Sequence, residues 1–154
     1  MNKTSSKIAS RGRIAFVQAT WHKDIVDQLR DAFSQEFNTL SDKQVSYFEL
    51  PGAYEIPLFA KALAETGDYA AVIAAGLVVD GGIYRHEFVA STVIDNLMRV
   101  QMDTGMPVFS AVLTPHHFHA GEEHQQFFKE HFVLKGREVA HACANTLEAL
   151  TKLS

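Results

Sequence analysis

The sequence predicts an α/β fold, a three-layer α/β/α sandwich with a four-stranded parallel sheet. Strand-like apolar runs alternate four times with segments of helical period, an order typical of parallel sheets with right-handed crossovers. The run at residues 69–79 is apolar almost throughout, as expected for a strand covered on both faces. Each of the four runs ends in a segment rich in polar residues or glycine. We expect one domain over residues 13–154, preceded by a flexible arm at residues 1–12.

The first half of the chain contains two predicted strands, each followed by a helix. Residues 13–19 form a short apolar run, and residues 44–50 carry aromatic and branched side chains that favour extended structure. Apolar side chains at helical spacing predict a helix at residues 24–38. A second helix begins near Pro57, whose missing N–H costs nothing in a first turn, and ends near Gly67.

The second half repeats this alternation. The third strand is interrupted by Gly81-Gly82, after which an apolar stripe predicts a long helix. A fourth strand is expected at residues 107–113, with a proline at its start where no ladder donor is lost. Two further helices are predicted, a short one at residues 122–130 and a final one at residues 136–150.

The composition excludes several classes of protein. A formal net charge of −4 argues against non-specific nucleic-acid binding, which needs a basic surface to release counterions. No apolar run approaches the roughly 20 residues that span a bilayer, so no membrane contact is expected. Residues 1–13 lack the apolar core of a secretory signal and suit a flexible tail or an arm that orders on a partner subunit. The single cysteine, Cys143, fits a reducing compartment, and we expect a cytoplasmic protein.

The polar ends of the strands predict a small-molecule site. In an open parallel sheet, ligands bind at the carboxyl ends of the strands. There the chain carries Trp21, which could stack on a flat ring, and Glu55, which could accept hydrogen bonds from ligand hydroxyls. Unpaired N–H groups in the first turn of the next helix could bind a polar heterocycle. Both have a structural alternative, because Trp21 could cap the core and residues 51–57 could form only a turn before a helix.

The turn after the third strand is a candidate site for phosphate binding and proton transfer. The glycines of Asp80-Gly81-Gly82 allow several backbone N–H groups to converge on an anion at a helix N-terminus. Arg85 offers a guanidinium suited to phosphate, and His86 offers a group that exchanges protons near neutral pH. The spacing matches neither a Walker loop nor a dinucleotide motif, so a plain turn with solvated polar residues is the alternative.

Four histidines follow the fourth strand, at positions 116, 117, 119 and 124. Imidazole suits zinc, but this spacing matches no standard metal motif and no cysteine accompanies it. We therefore expect no metal and favour a rim that contacts phosphate or substrate. Cys143 falls on an apolar helical stripe, which indicates a core residue and not a nucleophile.

Three segments together resemble the lumazine synthase family. Residues 51–57, PGAYEIP, are similar to its PGA-[FY]-EIP signature, residues 76–89 to its third-strand loop, and residues 105–108 to the entry of its fourth strand. The likeness extends from about residue 13 to residue 150. It implies a flavodoxin-like fold and assembly as pentamers with active sites between neighbouring subunits. The chain resembles a divergent subgroup in which pentamers pair into decamers.

The resemblance also implies a reaction, a transferase step of riboflavin biosynthesis. 5-Amino-6-(D-ribitylamino)uracil condenses with 3,4-dihydroxy-2-butanone 4-phosphate to give 6,7-dimethyl-8-ribityllumazine, phosphate and water. No metal and no organic cofactor are implied. An enzyme for this reaction mainly holds two reactants together and moves protons between them.

The same resemblance assigns roles to individual residues. The family's catalytic histidine aligns with Arg85, one residue before His86; we assign proton transfer to His86 on chemical grounds and a phosphate or polar contact to Arg85. A family arginine that binds phosphate is replaced near His124, which predicts weaker affinity for the phosphate substrate. The implied substrate-binding residues are Trp21, which stacks on the pyrimidine, Glu55, which contacts the ribityl hydroxyls, and Ala53, Tyr54, Leu77, Val78, Val79, Gly82, Ile83, Ser110 and His124.

Three other functions remain open at this point. The chain could be a non-catalytic paralogue that binds flavin or lumazine through Trp21. It could be a metal-dependent hydrolase built on the histidine cluster. It could also be a structural shell, in which case replacing Trp21 or Glu55 by alanine would leave function unchanged.

Overall fold

A computed structural model of the chain describes residues 9, 12–79, 86–114 and 122–153, apart from the side chains of residues 86 and 122–125. Within these residues four strands alternate with four helices, as the sequence predicts. The strands are β1 (Arg13–Ala19), β2 (Val45–Leu50), β3 (Tyr69–Leu77) and β4 (Val108–Leu113). The helices are α1 (Lys23–Leu40), α2 (Ile56–Thr66), α3 (His86–Thr104) and α4 (Glu122–Thr151), and a 3₁₀ turn, Ala53–Glu55, precedes α2.

The four strands form one parallel sheet in the order β2-β1-β3-β4. Helices α1 and α4 cover one face and α2 and α3 cover the other, so the predicted three-layer sandwich is confirmed. In β1, Ile14 and Phe16 pack on the α1/α4 face, while Ala15 and Val17 pack on the α2/α3 face. This alternation has the period of two that a strand imposes, and both faces are apolar because both are covered.

Strand β3 is the centre of the core. All nine of its residues are buried, which explains the nearly continuous apolar run. The strand ends at Leu77, two residues earlier than the pattern indicates. Val78 nevertheless continues the pairing with β4, because its backbone N–H donates to the carbonyl oxygen of Leu113 at 2.9 Å.

Helix α4 differs most from expectation. Two helices are predicted, at residues 122–130 and 136–150, but the chain forms one helix of 30 residues that runs through Gly136. Glycine in a helix interior is unfavourable by about 1 kcal/mol relative to alanine, so its position inside this helix requires a structural reason. Here α1 approaches so closely that a Cβ atom at Gly136 would lie 2.5 Å from the carbonyl oxygen of Leu29. The close packing of α1 on α4 therefore selects glycine at this position.

Other helix ends follow local sequence signals. Helix α2 has Pro57 in its first turn and ends at Gly67, whose φ of 75° suits glycine. Both signals were predicted correctly. Helix α3 is followed by Gly105, which also has a φ of 75°.

The described residues before β1 lie against the α1/α4 side of the sheet. Ala9 is buried in the core there, and the carbonyl oxygen of Gly12 accepts a hydrogen bond from Nζ of Lys43 at 3.2 Å. The flexible arm at residues 1–12 stays a prediction. In the described part of the chain, no helix has the length and apolar character needed to cross a membrane.

Candidate active site

A cavity of about 700 Å³ opens at the carboxyl edge of the sheet. Segments that are far apart in the chain contribute to it, namely the β1–α1 turn, the 3₁₀ turn, the end of β3 and the first turns of α3. Five predicted site residues meet in this cavity together with two that were not predicted. The lining residues are Trp21, His22, Tyr54, Leu77, Val78, Val79 and Val89.

Trp21 lies in a tight turn between β1 and α1. The backbone N–H of Thr20 donates to the carbonyl oxygen of Leu50 at 3.0 Å, and its hydroxyl donates to the carbonyl oxygen of Pro51 at 3.2 Å. These bonds attach the turn to the segment after β2. The Trp21 side chain is 42% exposed, so part of its flat ring is accessible from the cavity.

His22 adopts a left-handed conformation with φ 52° and ψ 47°, which is uncommon for a residue with a Cβ atom. Its carbonyl oxygen accepts hydrogen bonds from the N–H groups of Ile25 and Val26, and these bonds start α1. Strained residues of this kind cluster at functional sites. The sequence placed His22 beside Trp21 at a strand end, but position alone did not distinguish it from a solvated turn residue.

The segment after β2 brings a carboxylate beside the indole ring. A Cβ atom at Gly52 would lie 2.5 Å from Cζ2 of Trp21 and 3.1 Å from Oε2 of Glu55. Trp21 and Glu55, 34 positions apart in the chain, therefore flank the same glycine. The backbone at Gly52 is extended, so glycine is needed here for space and not for its φ.

The neighbours of Glu55 in the 3₁₀ turn contribute in different ways. The Tyr54 side chain is 49% exposed and lines the cavity. Ala53 is fully buried in the core of the α2/α3 face and does not line the cavity. The N–H of Glu55 already donates to the carbonyl oxygen of Gly52 at 3.3 Å and is therefore not one of the unpaired donors expected there.

The end of β3 forms the floor of the cavity. Leu77 and Val78 are each only 1% exposed, so the half-buried Val79 presents most of the accessible surface of this floor. Val89 of α3 completes the wall. It was assigned to the core by its apolar spacing, and only the packing of α3 on the sheet shows that it also faces this cavity.

Not all predicted residues lie at this cavity. Ser110 is in the middle of β4, paired with Ala74, and does not line the cavity in the described structure. Its hydroxyl oxygen accepts a hydrogen bond from the N–H of Val112 at 3.4 Å. The structure places position 86 at the start of α3 and position 124 in the first turn of α4. Gly82, Ile83, Arg85 and the histidines at 116, 117 and 119 lie outside the described residues, and no cluster of three potential metal ligands occurs among the residues that are described.

Comparison with known proteins identifies the family. The model of the 6,7-dimethyl-8-ribityllumazine synthase family matches residues 11–151 of the chain. The chain belongs to the lumazine synthase family. The resemblance predicted from three short segments is thus confirmed over nearly the whole sequence.

Several curated lumazine synthases are similar to this chain over most of its length. A protein of Pseudomonas syringae pv. tomato named 6,7-dimethyl-8-ribityllumazine synthase 2 is 57% identical over 152 residues, which cover 97% of this chain and 89% of the relative. A 6,7-dimethyl-8-ribityllumazine synthase of Rhodococcus erythropolis is 59% identical over 143 residues, or 92% of each chain. A 6,7-dimethyl-8-ribityllumazine synthase 2 of Bradyrhizobium diazoefficiens is 58% identical over 147 residues, which cover 96% of this chain and 89% of the relative.

The family signature lies close to the only tryptophan, Trp21. The segment that resembles the lumazine synthase signature, residues 51–57, is the one that places Gly52 beside the indole of Trp21 and brings Glu55 close to the same glycine. Within this segment Tyr54 lines the cavity, and Gly52 and Glu55 lie beside Trp21, which also lines it.

Proposed function

We propose that this protein catalyses the condensation of 5-amino-6-(D-ribitylamino)uracil with 3,4-dihydroxy-2-butanone 4-phosphate to form 6,7-dimethyl-8-ribityllumazine, a step of riboflavin biosynthesis. The observation that carries the proposal is that Trp21, which lines the cavity, and Glu55 flank the same glycine, Gly52, in a chain of the lumazine synthase family. The half-exposed indole is suited to stack on the pyrimidine, and the carboxylate of Glu55 is suited to accept hydrogen bonds from ribityl hydroxyls.

In this proposal the protein acts mainly by holding both reactants in one cavity. The amine of the uracil attacks the ketone and forms an imine with loss of water. Phosphate then leaves, and a second loss of water closes the ring. Fixing two reactants at a suitable distance can supply about 7–11 kcal/mol of the barrier in favourable cases, and proton transfer adds to this. Residues 77–79 line the cavity floor, and in this proposal their segment contacts the uracil edge.

We assign the proton transfers to His86 and a phosphate contact to Arg85, together with Gly82 and Ile83. Position 86 is three residues before Val89 on α3, and residues three apart share a helix face. Because Val89 lines the cavity, this relation is compatible with a place for position 86 beside it. His124, in the first turn of α4, and Ser110 complete the proposed substrate-binding set.

The decisive experiment mixes the protein with both substrates and follows lumazine fluorescence against the uncatalysed reaction. We expect turnover by the wild type. Trp21→Ala should raise KM for the uracil substrate by about tenfold or more, because stacking on an aromatic ring contributes about 1–3 kcal/mol per base. Trp21→Phe keeps a flat ring and should recover part of the loss. Lumazine binding without turnover would show a non-catalytic paralogue, and unchanged kinetics in Trp21→Ala would contradict the assigned site.

The roles of His86 and Arg85 are separated by the same assay. His86→Ala should lower kcat with little change in KM, since it removes a proton-transfer group. Arg85→Ala should raise KM for the phosphate substrate alone. The reverse pattern would place the catalytic role on Arg85.

We also infer that the protein is a homo-oligomer, a pentamer or a dimer of pentamers. Large apolar side chains are exposed on α2 and α3, including Leu58 at 76% and Met102 at 78%, and contact with other subunits would cover them. Sedimentation-velocity mass measurement would test this, and a monomeric mass would contradict it. We assign the protein to the cytoplasm, where a free cysteine such as Cys143 stays reduced.

A further inference from the structure

Gln18 is an unusual residue in the core. It lies near the end of the central strand β1 and points to the α1/α4 face, and its exposure is 1%. Among the residues that the structure describes, no other polar or charged side chain is buried to this extent. A buried amide is unfavourable unless it is hydrogen-bonded, so the partner of Gln18 matters. Its Nε2 donates to Oδ1 of Asp27 at 2.9 Å.

Asp27 lies in the second turn of α1 and is held from several sides. Oδ2 of Asp27 accepts from Nζ of Lys23 at 2.9 Å, and Oδ1 accepts from Nη1 of Arg30 at 3.1 Å. Burial alone would raise the pKa of Asp27, but the hydrogen bonds from Lys23 and Gln18 and the charge of Arg30 outweigh it, and the pKa lies below its ordinary value. The carboxylate is therefore ionised at neutral pH and is a strong acceptor for the buried amide.

A second connection holds the first turn of α1 on β2. Nζ of Lys23 lies 3.0 Å from Oε1 of Glu49, and Glu49 is the register partner of Gln18 in the sheet. The start of α1 is thus attached to β1 through Asp27 and to β2 through Lys23. These are the two strands that lead into the turns carrying Trp21 and Glu55.

Only Thr20, Trp21 and His22 connect the end of β1 to the start of α1. Such a short connection leaves little freedom once both of its ends are attached. Residues in sparsely populated conformations persist only where the surrounding structure requires them, and His22 is such a residue. The position of α1 on the sheet therefore determines where the indole of Trp21 lies.

We propose that Gln18 and Asp27 are positioning residues for the reaction: their hydrogen bond holds the start of α1 on β1 and keeps the indole of Trp21 beside Gly52, at the cavity. Neither residue lines the cavity, so they act through Trp21. The kinetic consequence rests on the proposed function, whereas the consequence for the position of Trp21 does not.

The test is Gln18→Met, which keeps the length of the side chain and removes its donor. Asp27 retains Lys23 and Arg30, so no buried charge is left unpaired. We expect KM for the uracil substrate to rise between about tenfold and about a hundredfold, as misplacement of a binding group by about 1 Å can cause, with a smaller change in kcat. Acrylamide quenching of Trp21, the only tryptophan, should also change in the ligand-free protein.

Glu36→Gln is the matched control. It weakens a contact near the other end of the same helix, where Oε2 of Glu36 lies 2.6 Å from Nε2 of His141 on α4. KM and Trp21 quenching should stay at wild-type values in this variant. If Glu36→Gln changed both as much as Gln18→Met, the effect would come from general loosening of α1 and the proposal would fail.

Substitutions of Asp27 provide an independent test. Asp27→Asn keeps an oxygen that can accept from Gln18 and should stay close to the wild-type KM, whereas Asp27→Ala removes the acceptor and should behave like Gln18→Met. If Asp27→Asn and Asp27→Ala raised KM equally, the hydrogen bond from Gln18 to Asp27 would not have the proposed role. A folded Gln18→Met protein with wild-type KM and quenching would overturn the proposal. If the wild type itself shows no turnover, the proposed function fails, and the quenching measurements still decide whether Gln18 positions Trp21.

Discussion

Two glycines show how differently the two sides of this molecule are built. At Gly136, in the packing between α1 and α4, a Cβ atom would lie 2.5 Å from the carbonyl oxygen of Leu29 and 3.0 Å from the backbone nitrogen of Phe33. At Gly52, beside the cavity, it would lie 2.5 Å from Cζ2 of Trp21, a partly exposed side chain. The distances are equal, but one neighbour is backbone and the other is a side chain that can move.

The α1/α4 interface closes around a buried apolar core, whereas the cavity at the carboxyl edge of the sheet is open and has Trp21, His22 and Tyr54 exposed. Changes in the interface should therefore appear mainly as lost stability. Changes at the edge should appear mainly as lost ligand binding, since Trp21 can swing into solvent without unfolding the chain. Four predictions test this contrast.

The largest expected effect concerns the thiol in the closed interface. Burial raises the pKa of Cys143 to about 12, against 9.0 for an exposed thiol, although the charge of Lys43 opposes the rise. At pH 8 the native protein should be alkylated by iodoacetamide at least about a thousandfold more slowly than the urea-unfolded chain, because the thiolate reacts. Burial of the neutral Cys143 thiol therefore contributes fully to the stability of the fold below about pH 9, and this contribution is lost as the pH rises towards 12. Similar labelling rates in native and unfolded protein would show that the interface is open.

Gly136→Ala should destabilise the fold. The higher helix propensity of alanine favours the variant by about 1 kcal/mol, but a methyl group against backbone atoms typically costs about 1–3 kcal/mol and is near the upper end at 2.5 Å. We expect a net loss of about 1–2 kcal/mol in the free energy of unfolding, measured by urea denaturation. Lumazine affinity of the folded fraction should be unchanged. A stability gain would mean that α1 and α4 can separate without loss.

Gly52→Ala should have the opposite effects, a loss of ligand affinity with little loss of stability. The added methyl group displaces the indole of Trp21, and the lost stacking should weaken lumazine binding by about tenfold, measured by fluorescence titration. The urea midpoint should change little. Gly76→Ala is the matched control, since a Cβ atom there would lie 3.5 Å from Cβ of Ala19, an ordinary contact. If Gly52→Ala and Gly76→Ala lost equal affinity, displacement of Trp21 would not be the cause of the loss.

Asp27 lies on α1, between the α1/α4 interface and the carboxyl edge of the sheet. Asp27→Asn should give the smallest of the four effects, a loss of stability that depends on pH. Because hydrogen bonds and a nearby guanidinium outweigh burial and lower the pKa of Asp27, its charged form stabilises the fold above the unfolded pKa of about 4. This contribution disappears as the pH falls through the lower folded pKa. The urea midpoint of Asp27→Asn should lie below that of the wild type at pH 7, and the difference should narrow below about pH 4. A constant difference across this range would contradict the role of the charge.

Much of this molecule could be predicted from local patterns. The alternation of strands and helices, the burial of β3 on both faces and the ends of α2 at Pro57 and Gly67 follow from apolar period and backbone preference, which act within a few residues. The segment at residues 51–57 also carries enough specific sequence to identify the family, and the meeting of Trp21 and Glu55 followed from the rule that parallel strands end at one edge.

Tertiary contacts decided the rest, because they join residues that no local pattern connects. The continuity of α4 through Gly136 depends on how closely α1 approaches, and the apolar Val89 faces the cavity only because of how α3 packs. Gln18 appeared in the sequence as one polar residue in an apolar strand, and only the fold pairs it with Asp27. The chain thus determines its elements through short-range preferences, whereas the position of each functional side chain depends on packing and hydrogen bonds between elements.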